Sequence, residues 1–105
     1  MTGQELQNLL NQKWGYSYDV QLRRTPRKVF FQVMWRYLEQ ASFPMTEAEY
    51  WEHLDQVLLY LDAWGCTQQI CQFIERTAER PRLGRAVSVP IDLGDRASEW
   101  LLSDR

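Results

Sequence analysis

Cysteine and histidine are scarce in this chain, with two Cys and one His among 105 residues. Two cysteines cannot build a disulfide scaffold. Cys66, Cys71 and His53 also fall short of the four ligands with short paired spacings that zinc sites use. Glycine and proline are few as well, five and four, which argues against collagen-like, linker and disordered chains. No apolar run approaches the roughly 18 residues needed to span a bilayer. The polar start Thr2-Gly3-Gln4-Glu5 is unlike a signal peptide. Neither sign of charge dominates, since 12 Lys+Arg stand against 14 Asp+Glu for a formal charge of -2. No phosphate-binding glycine loop, Gly-x-Ser-x-Gly elbow or Cys–His motif is present. What remains is a soluble, cytoplasmic, single domain over residues 1–105, with no expected metal, cofactor or catalytic residue.

What is present is ordinary apolar content, 45%, and 13% aromatics that include five Trp. A chain of this length buries roughly 60–70% of its unfolded surface, enough for a core without staples. Thr2 and Glu5 form an S/T-x-x-E capping box, Leu6, Leu9, Leu10 and Trp14 follow at helical spacing, and Gly15 suits the stop, so a helix is predicted over 3–14. The period then changes to two: Tyr16, Tyr18, Val20 and Leu22 alternate with Ser17, Asp19, Gln21 and Arg23. Arg24-Thr25-Pro26-Arg27 is a turn signal. Val29, Phe31, Val33, Trp35 and Tyr37 then share one face, with Phe30, Met34 and Leu38 on the other, so this strand is predicted to be central in its sheet. The hairpin is expected over 16–24 and 28–37.

Thr46 and Glu49 form a second capping box, opening the longest helix, whose inward stripe is Tyr50, Leu54, Val57, Leu61 and Trp64, flanked by Trp51 and Leu58, with Gly65 as the stop. A third helix is expected over about 67–79, antiparallel to the second, carrying Ile70, Phe73, Ile74 and Ala78. Val87, Val89 and Ile91 alternate with Ala86, Ser88 and Pro90, a short strand that Pro90 assigns to a sheet edge or strand end. A last helical turn or two is expected from Arg96 to Leu102. The predicted fold is α+β, in the order α-β-β-α-α-β-α, with a small antiparallel sheet against helices.

Several stretches carry a resemblance: Trp14-Gly15-Tyr16-Ser17-Tyr18-Asp19-Val20-Gln21, Val33-Met34-Trp35-Arg36-Tyr37-Leu38-Glu39-Gln40, Ser42-Phe43-Pro44-Met45, Glu79-Arg80-Pro81-Arg82-Leu83-Gly84 and Arg96-Ala97-Ser98-Glu99-Trp100. Together they resemble a small family of unknown function found in cyanobacteria and plastid-bearing eukaryotes. The resemblance covers nearly the whole chain and implies a phototroph context, with the protein in the bacterial cytoplasm. It brings no assigned activity.

The net charge hides blocks. Residues 20–38 carry five basic side chains (Arg23, Arg24, Arg27, Lys28, Arg36) and no acid. Residues 39–62 carry six acids (Glu39, Glu47, Glu49, Glu52, Asp55, Asp62) and no Lys or Arg. Arg76, Arg80, Arg82 and Arg85 then form a second basic cluster, diluted by Glu79. His53, among Glu49, Glu52 and Asp55, is expected on a solvated helix face. Leu59 falls opposite the apolar stripe, as either an ordinary exposed leucine or a contact point.

Three readings of the basic clusters compete. They are a solvated surface that guards a sheet edge, a protein-binding surface, or a nucleic-acid surface. Arginine dominates both clusters, with Lys28 the only lysine, and arginine is the residue of choice for bidentate carboxylate contacts. A nucleic-acid binder would want a basic pI, whereas this one is near 5.3. The expected function is a non-enzymatic interaction or assembly factor whose partner is another protein, contacted by Arg23, Arg24, Arg27 and Lys28 at the hairpin tip and by Arg80, Arg82 and Arg85 in the connector. The alternative is single-stranded nucleic-acid binding by the same residues.

Overall fold

Both capping boxes form. The Thr2 hydroxyl accepts from the Glu5 N–H at 3.2 Å while Glu5 Oε1 accepts from the Thr2 N–H at 2.9 Å, and helix α1 runs Gly3–Trp14. Gly15 ends it at φ 85°, a left-handed conformation that favours glycine. Thr46 and Glu49 repeat the device at the start of α2, Glu47–Ala63. The structure is a computed structural model, and it describes residues 1–91. Between these helices lie β1 (Tyr18–Arg24) and β2 (Val29–Tyr37); α3 (Thr67–Arg76) and β3 (Val87–Ile91) follow. The helix expected at 96–102 lies outside the described residues.

The sheet is antiparallel in the order β1-β2-β3, so the strand with two apolar faces is central and the strand with Pro90 is an edge. Val20 and Leu22 on β1, Phe31 and Val33 on β2, and Val87 and Val89 on β3 share the inner face. Leu6, Leu10, Tyr50, Leu54, Val57, Leu58, Leu61, Ile70 and Ile74 from the helices complete the core. On the outer face Gln21 donates to Gln32 and Gln32 donates to Ser88, a polar row across all three strands.

The alternation also explains where proline is tolerated. The Thr25 N–H donates to Lys28 O at 2.8 Å, so pairing alternation turns the backbone groups of Gln21 and Arg23 toward β2 and those of Phe31 and Val33 toward β3. Pro90 then sits where its missing N–H faces away from β2 rather than into the ladder.

Four expectations need correcting. Strand β1 starts at Tyr18, not residue 16. Ser17 is fully buried and Tyr16 is 41% exposed, because Ser17 Oγ accepts from Gln7 and Asn11 and its N–H donates to Glu39. The register shifts between Tyr18 and Val20, so residues 34–36 bulge; Trp35 is half-buried but does not join the side chains packed on the core. Helix α3 stops at Arg76, three residues early, because Thr77 turns extended (φ -67°, ψ 143°) and the Trp14 indole takes Glu79 O at 3.1 Å. His53 is not a solvated side chain: it is half-buried and its Nε2 lies 2.7 Å from Val20 O.

One glycine matters for packing. Gly3 is buried against α2, its N–H donating to Asp55 Oδ1 at 2.6 Å, and a Cβ there would meet Trp51 O at 2.7 Å. That close approach brings the positive end of α1 onto the Asp55 carboxylate.

Candidate protein-interaction site

All six acids of the block are exposed, yet four of them are bonded within the chain. Glu39 holds the Ser17 N–H, Glu49 caps α2, Asp55 holds the Gly3 N–H, and Asp62 accepts from the Thr67 hydroxyl. The Thr46 backbone and hydroxyl, bonded to Glu49, hold that carboxyl below its ordinary value. An acid run that reads as a wet helix face is in good part capping and tertiary docking.

The arginines behave differently. Among the described residues, Arg23, Arg27, Lys28, Arg80, Arg82 and Arg85 are all exposed, and none makes a side-chain hydrogen bond or ion pair. Arg24 is exposed too, but it is engaged within the chain.

At the hairpin tip, Thr25-Pro26-Arg27-Lys28 is closed locally. The Thr25 N–H donates to Lys28 O, and Thr25 Oγ1 accepts from the Lys28 N–H at 3.0 Å. Strand alternation sends Arg23 and Arg24 to opposite faces, so the four tip charges do not converge. Arg23 alone joins a recess of about 300 Å³ on the outer sheet face, with Thr25, Phe30, Gln32 and Ser88.

The connector is held at several points. The Trp14 indole N–H donates to Glu79 O at 3.1 Å, and just before the connector Lys13 Nζ donates to Glu75 O in the last turn of α3 at 3.1 Å. Pro81 is buried between exposed Arg80 and Arg82. Arg82 and Arg85 exchange two backbone hydrogen bonds, at 3.0 and 2.7 Å, around Leu83-Gly84, with Gly84 at φ 77°. Leu83 stands 91% exposed at the apex of that turn. Arg80, Arg82 and Arg85 line a recess of about 320 Å³ with Ala78 and Glu79.

The two segments are separate surfaces. The start of β3 pairs with Val33 and its end with Val29, beside the tip. The connector therefore enters the sheet at the far end, about 13 Å away by strand rise alone. The sequence grouped seven residues; the structure gathers only Arg80, Arg82 and Arg85. Lys13, which the sequence did not single out, comes close to the connector through α1. Only its position one residue before Trp14 and near the helix end could have pointed to it.

The other chemistry-bearing groups are placed as follows. Cys66 is buried with Sγ 3.6 Å from Leu61 O, Cys71 Sγ lies 3.5 Å from Met1 Sδ, and burial raises both thiols above their ordinary value. The Asp19 carboxylate, 3.4 Å from His53 Nε2, raises the imidazole pKa, against burial, which lowers it. Tyr50 donates to Tyr18 O, and burial first, then Asp19 and Glu39, raise its pKa strongly. No group of three His, Cys, Asp or Glu side chains suited to a metal ion gathers among the described residues. No described helix is long and apolar enough to cross a membrane.

Residues 4–101 match the model of a family described as a domain of unknown function, DUF3067. The chain belongs to this family. It is similar to the Alr2454 protein of the cyanobacterium Nostoc sp. strain PCC 7120, whose solution NMR structure shares 68% sequence identity. The match covers 96% of this chain and 97% of that one, at a TM-score of 0.86. No curated protein matches the chain. A cyanobacterial relative and an uncharacterised family agree with the resemblance carried by the motifs, and the α+β architecture is shared with the Nostoc protein.

Proposed function

We propose that this member of the DUF3067 family is a non-enzymatic accessory module of a phototroph's cytoplasm that binds another protein through its exposed arginines. One observation supports it above the rest: the charges divide by use. Acids such as Glu39, Glu49, Asp55 and Asp62 are bonded within the chain, whereas Arg80, Arg82 and Arg85 line a recess and make no side-chain hydrogen bond or ion pair among the described residues. Exposed arginines with empty donor forks suit carboxylates on a partner. Leu83, raised between Arg82 and Arg85, adds an apolar contact to the same surface.

The formal charge of -2 and the separation of tip from connector weigh against a continuous track for a nucleic-acid backbone. Affinity capture from native cells at low and high salt tests the proposal. Reversal of Arg80, Arg82 and Arg85 to Glu is expected to release a wild-type partner. Retention of every partner by that variant and by a tip-reversed variant would refute it. Binding of a generic oligonucleotide with a steep salt slope would favour the nucleic-acid alternative.

A further inference from the structure

We propose that the connector side of the molecule is a peptide groove whose occupant is an extended acidic segment of the partner protein; this deepens, and rests on, the protein-binding function above. Two recesses adjoin there. One, of about 320 Å³, is lined by Ala78, Glu79, Arg80, Arg82 and Arg85. The other, of about 360 Å³, is lined by Lys13, Trp14 and Thr77 together with the same Ala78, Glu79 and Arg80. Sharing those three residues, they make one trough from the end of α1 to the Arg82–Arg85 turn.

The trough is formed before any partner arrives. Trp14 is half-buried against the core and fixes Glu79 O, Lys13 fixes Glu75 O, and Pro81 is buried. Little backbone ordering remains to oppose binding, which favours affinity from a modest surface.

Its chemistry selects the occupant. Among the described residues, four cations (Lys13, Arg80, Arg82, Arg85) and one acid, Glu79, line the trough. Arg80 and Arg82 stand two residues apart in non-helical backbone on either side of the buried Pro81. Side chains on an extended strand repeat every second residue, about 7 Å apart, so carboxylates at i and i+2 of a peptide match that spacing. Leu83 offers an apolar contact next to them, and the Trp14 ring lines the other end. A phosphate polymer would be served by charge alone and would gain nothing from Leu83.

The test is a titration of the ¹⁵N-labelled full chain with a synthetic peptide alternating Glu and Leu, followed by heteronuclear NMR. The Trp14 indole N–H and the amides of residues 78–85 are expected to shift saturably, while the amides of Arg23–Val29 stay put. Arg82→Glu with Arg85→Glu is expected to weaken binding about tenfold or more, and Arg23→Glu with Arg27→Glu to leave it within about twofold. Glu79→Gln, which removes an acid from the trough, is expected to tighten binding about two- to threefold, a gain that no purely structural role of Glu79 explains. Leu83→Ser is expected to weaken the peptide but not to change binding of an oligonucleotide of equal charge.

No shift at the trough, equal shifts at tip and trough, or tighter binding of the oligonucleotide to the same resonances would overturn the groove. If the peptide fails while reversed connector arginines still release the cellular partner, only the acidic-peptide occupant is wrong. If those arginines release nothing, the groove is refuted, and if a tip-reversed variant releases nothing either, the protein-binding function falls with it.

Discussion

The hairpin tip and the connector carry nearly the same residues, yet the fold treats them in opposite ways. Arg27 and Lys28 sit in a turn whose backbone bonds run between Thr25 and Lys28, with Arg23 beside it at the end of the β1–β2 ladder. Arg80, Arg82 and Arg85 sit on a segment fastened to α1 by Trp14 and to the interior by Pro81. A guanidinium on a local turn loses backbone as well as side-chain freedom when it binds, whereas one on a pinned backbone loses side-chain freedom alone. Charge counting gives the tip and the connector equal weight; the pinning separates them.

The largest expected effect breaks the pinning. Trp14→Ala removes a half-buried ring and its hydrogen bond to Glu79 O, and should cost about 2–3 kcal/mol in urea denaturation. Hydrogen exchange should quicken through residues 77–85 while the tip amides stay unchanged. Trp14→Phe keeps most of the packing and should cost about 1 kcal/mol, isolating the indole N–H. If both variants protected the connector equally well, it would be held by something other than Trp14.

Gly84→Ala comes next. A side chain at φ 77° is strained whatever the space around it, at a cost of about 1 kcal/mol. The damage should be confined to the Arg82–Arg85 turn. Pro26→Ala at the tip should cost no more than about 0.5 kcal/mol, through a looser unfolded chain. A tip variant that destabilised more than the connector variant would reverse the comparison.

A smaller effect concerns the root of the hairpin. His53 bonds Val20 O and lies beside Asp19, and its folded pKa is raised above the ordinary 6.5. A group with a raised folded pKa stabilises fully below its unfolded pKa and loses that contribution as pH rises through the folded value. The stability gap between wild type and His53→Gln should therefore be widest near pH 5.5 and narrow by pH 8.5, measured by urea denaturation. The carboxylate that tunes His53 is Asp19, across on β1, not the acids of its own helix. A gap that widened with pH would contradict the Asp19 pairing.

Smallest of all are the stability effects of charge reversal. Both the Arg23, Arg27, Lys28 set and the Arg80, Arg82, Arg85 set should shift stability by no more than about 0.5 kcal/mol per substitution, since none has a side-chain partner among the described residues.

Local chemistry was readable along the chain. Thr2 with Glu5 and Thr46 with Glu49 announce their helices because a capping box involves residues three apart. Val20, Leu22, Phe31 and Val33 announce the inner sheet face because strand periodicity needs no distant partner. Pro90 announced an edge for the same reason. Ser17, Trp35, His53 and Gly3 were misplaced or passed over, because the groups that decide them lie far away in sequence. Ser17 is claimed by Gln7, Asn11 and Glu39, His53 by Val20 and Asp19, and Gly3 by Asp55.

The same division applies to the candidate site. The sequence by itself determined that arginines cluster in two places and that acids fill the stretch between them, since charge is a property of each residue alone. Only the tertiary structure decided which charges are free. Hydrogen-bond partners depend on which segments meet, so folding drew Glu39, Glu49, Asp55 and Asp62 into caps and seams. It left Arg80, Arg82 and Arg85 around an open trough, because Trp14 and Pro81 hold their backbone against the body while their side chains face water.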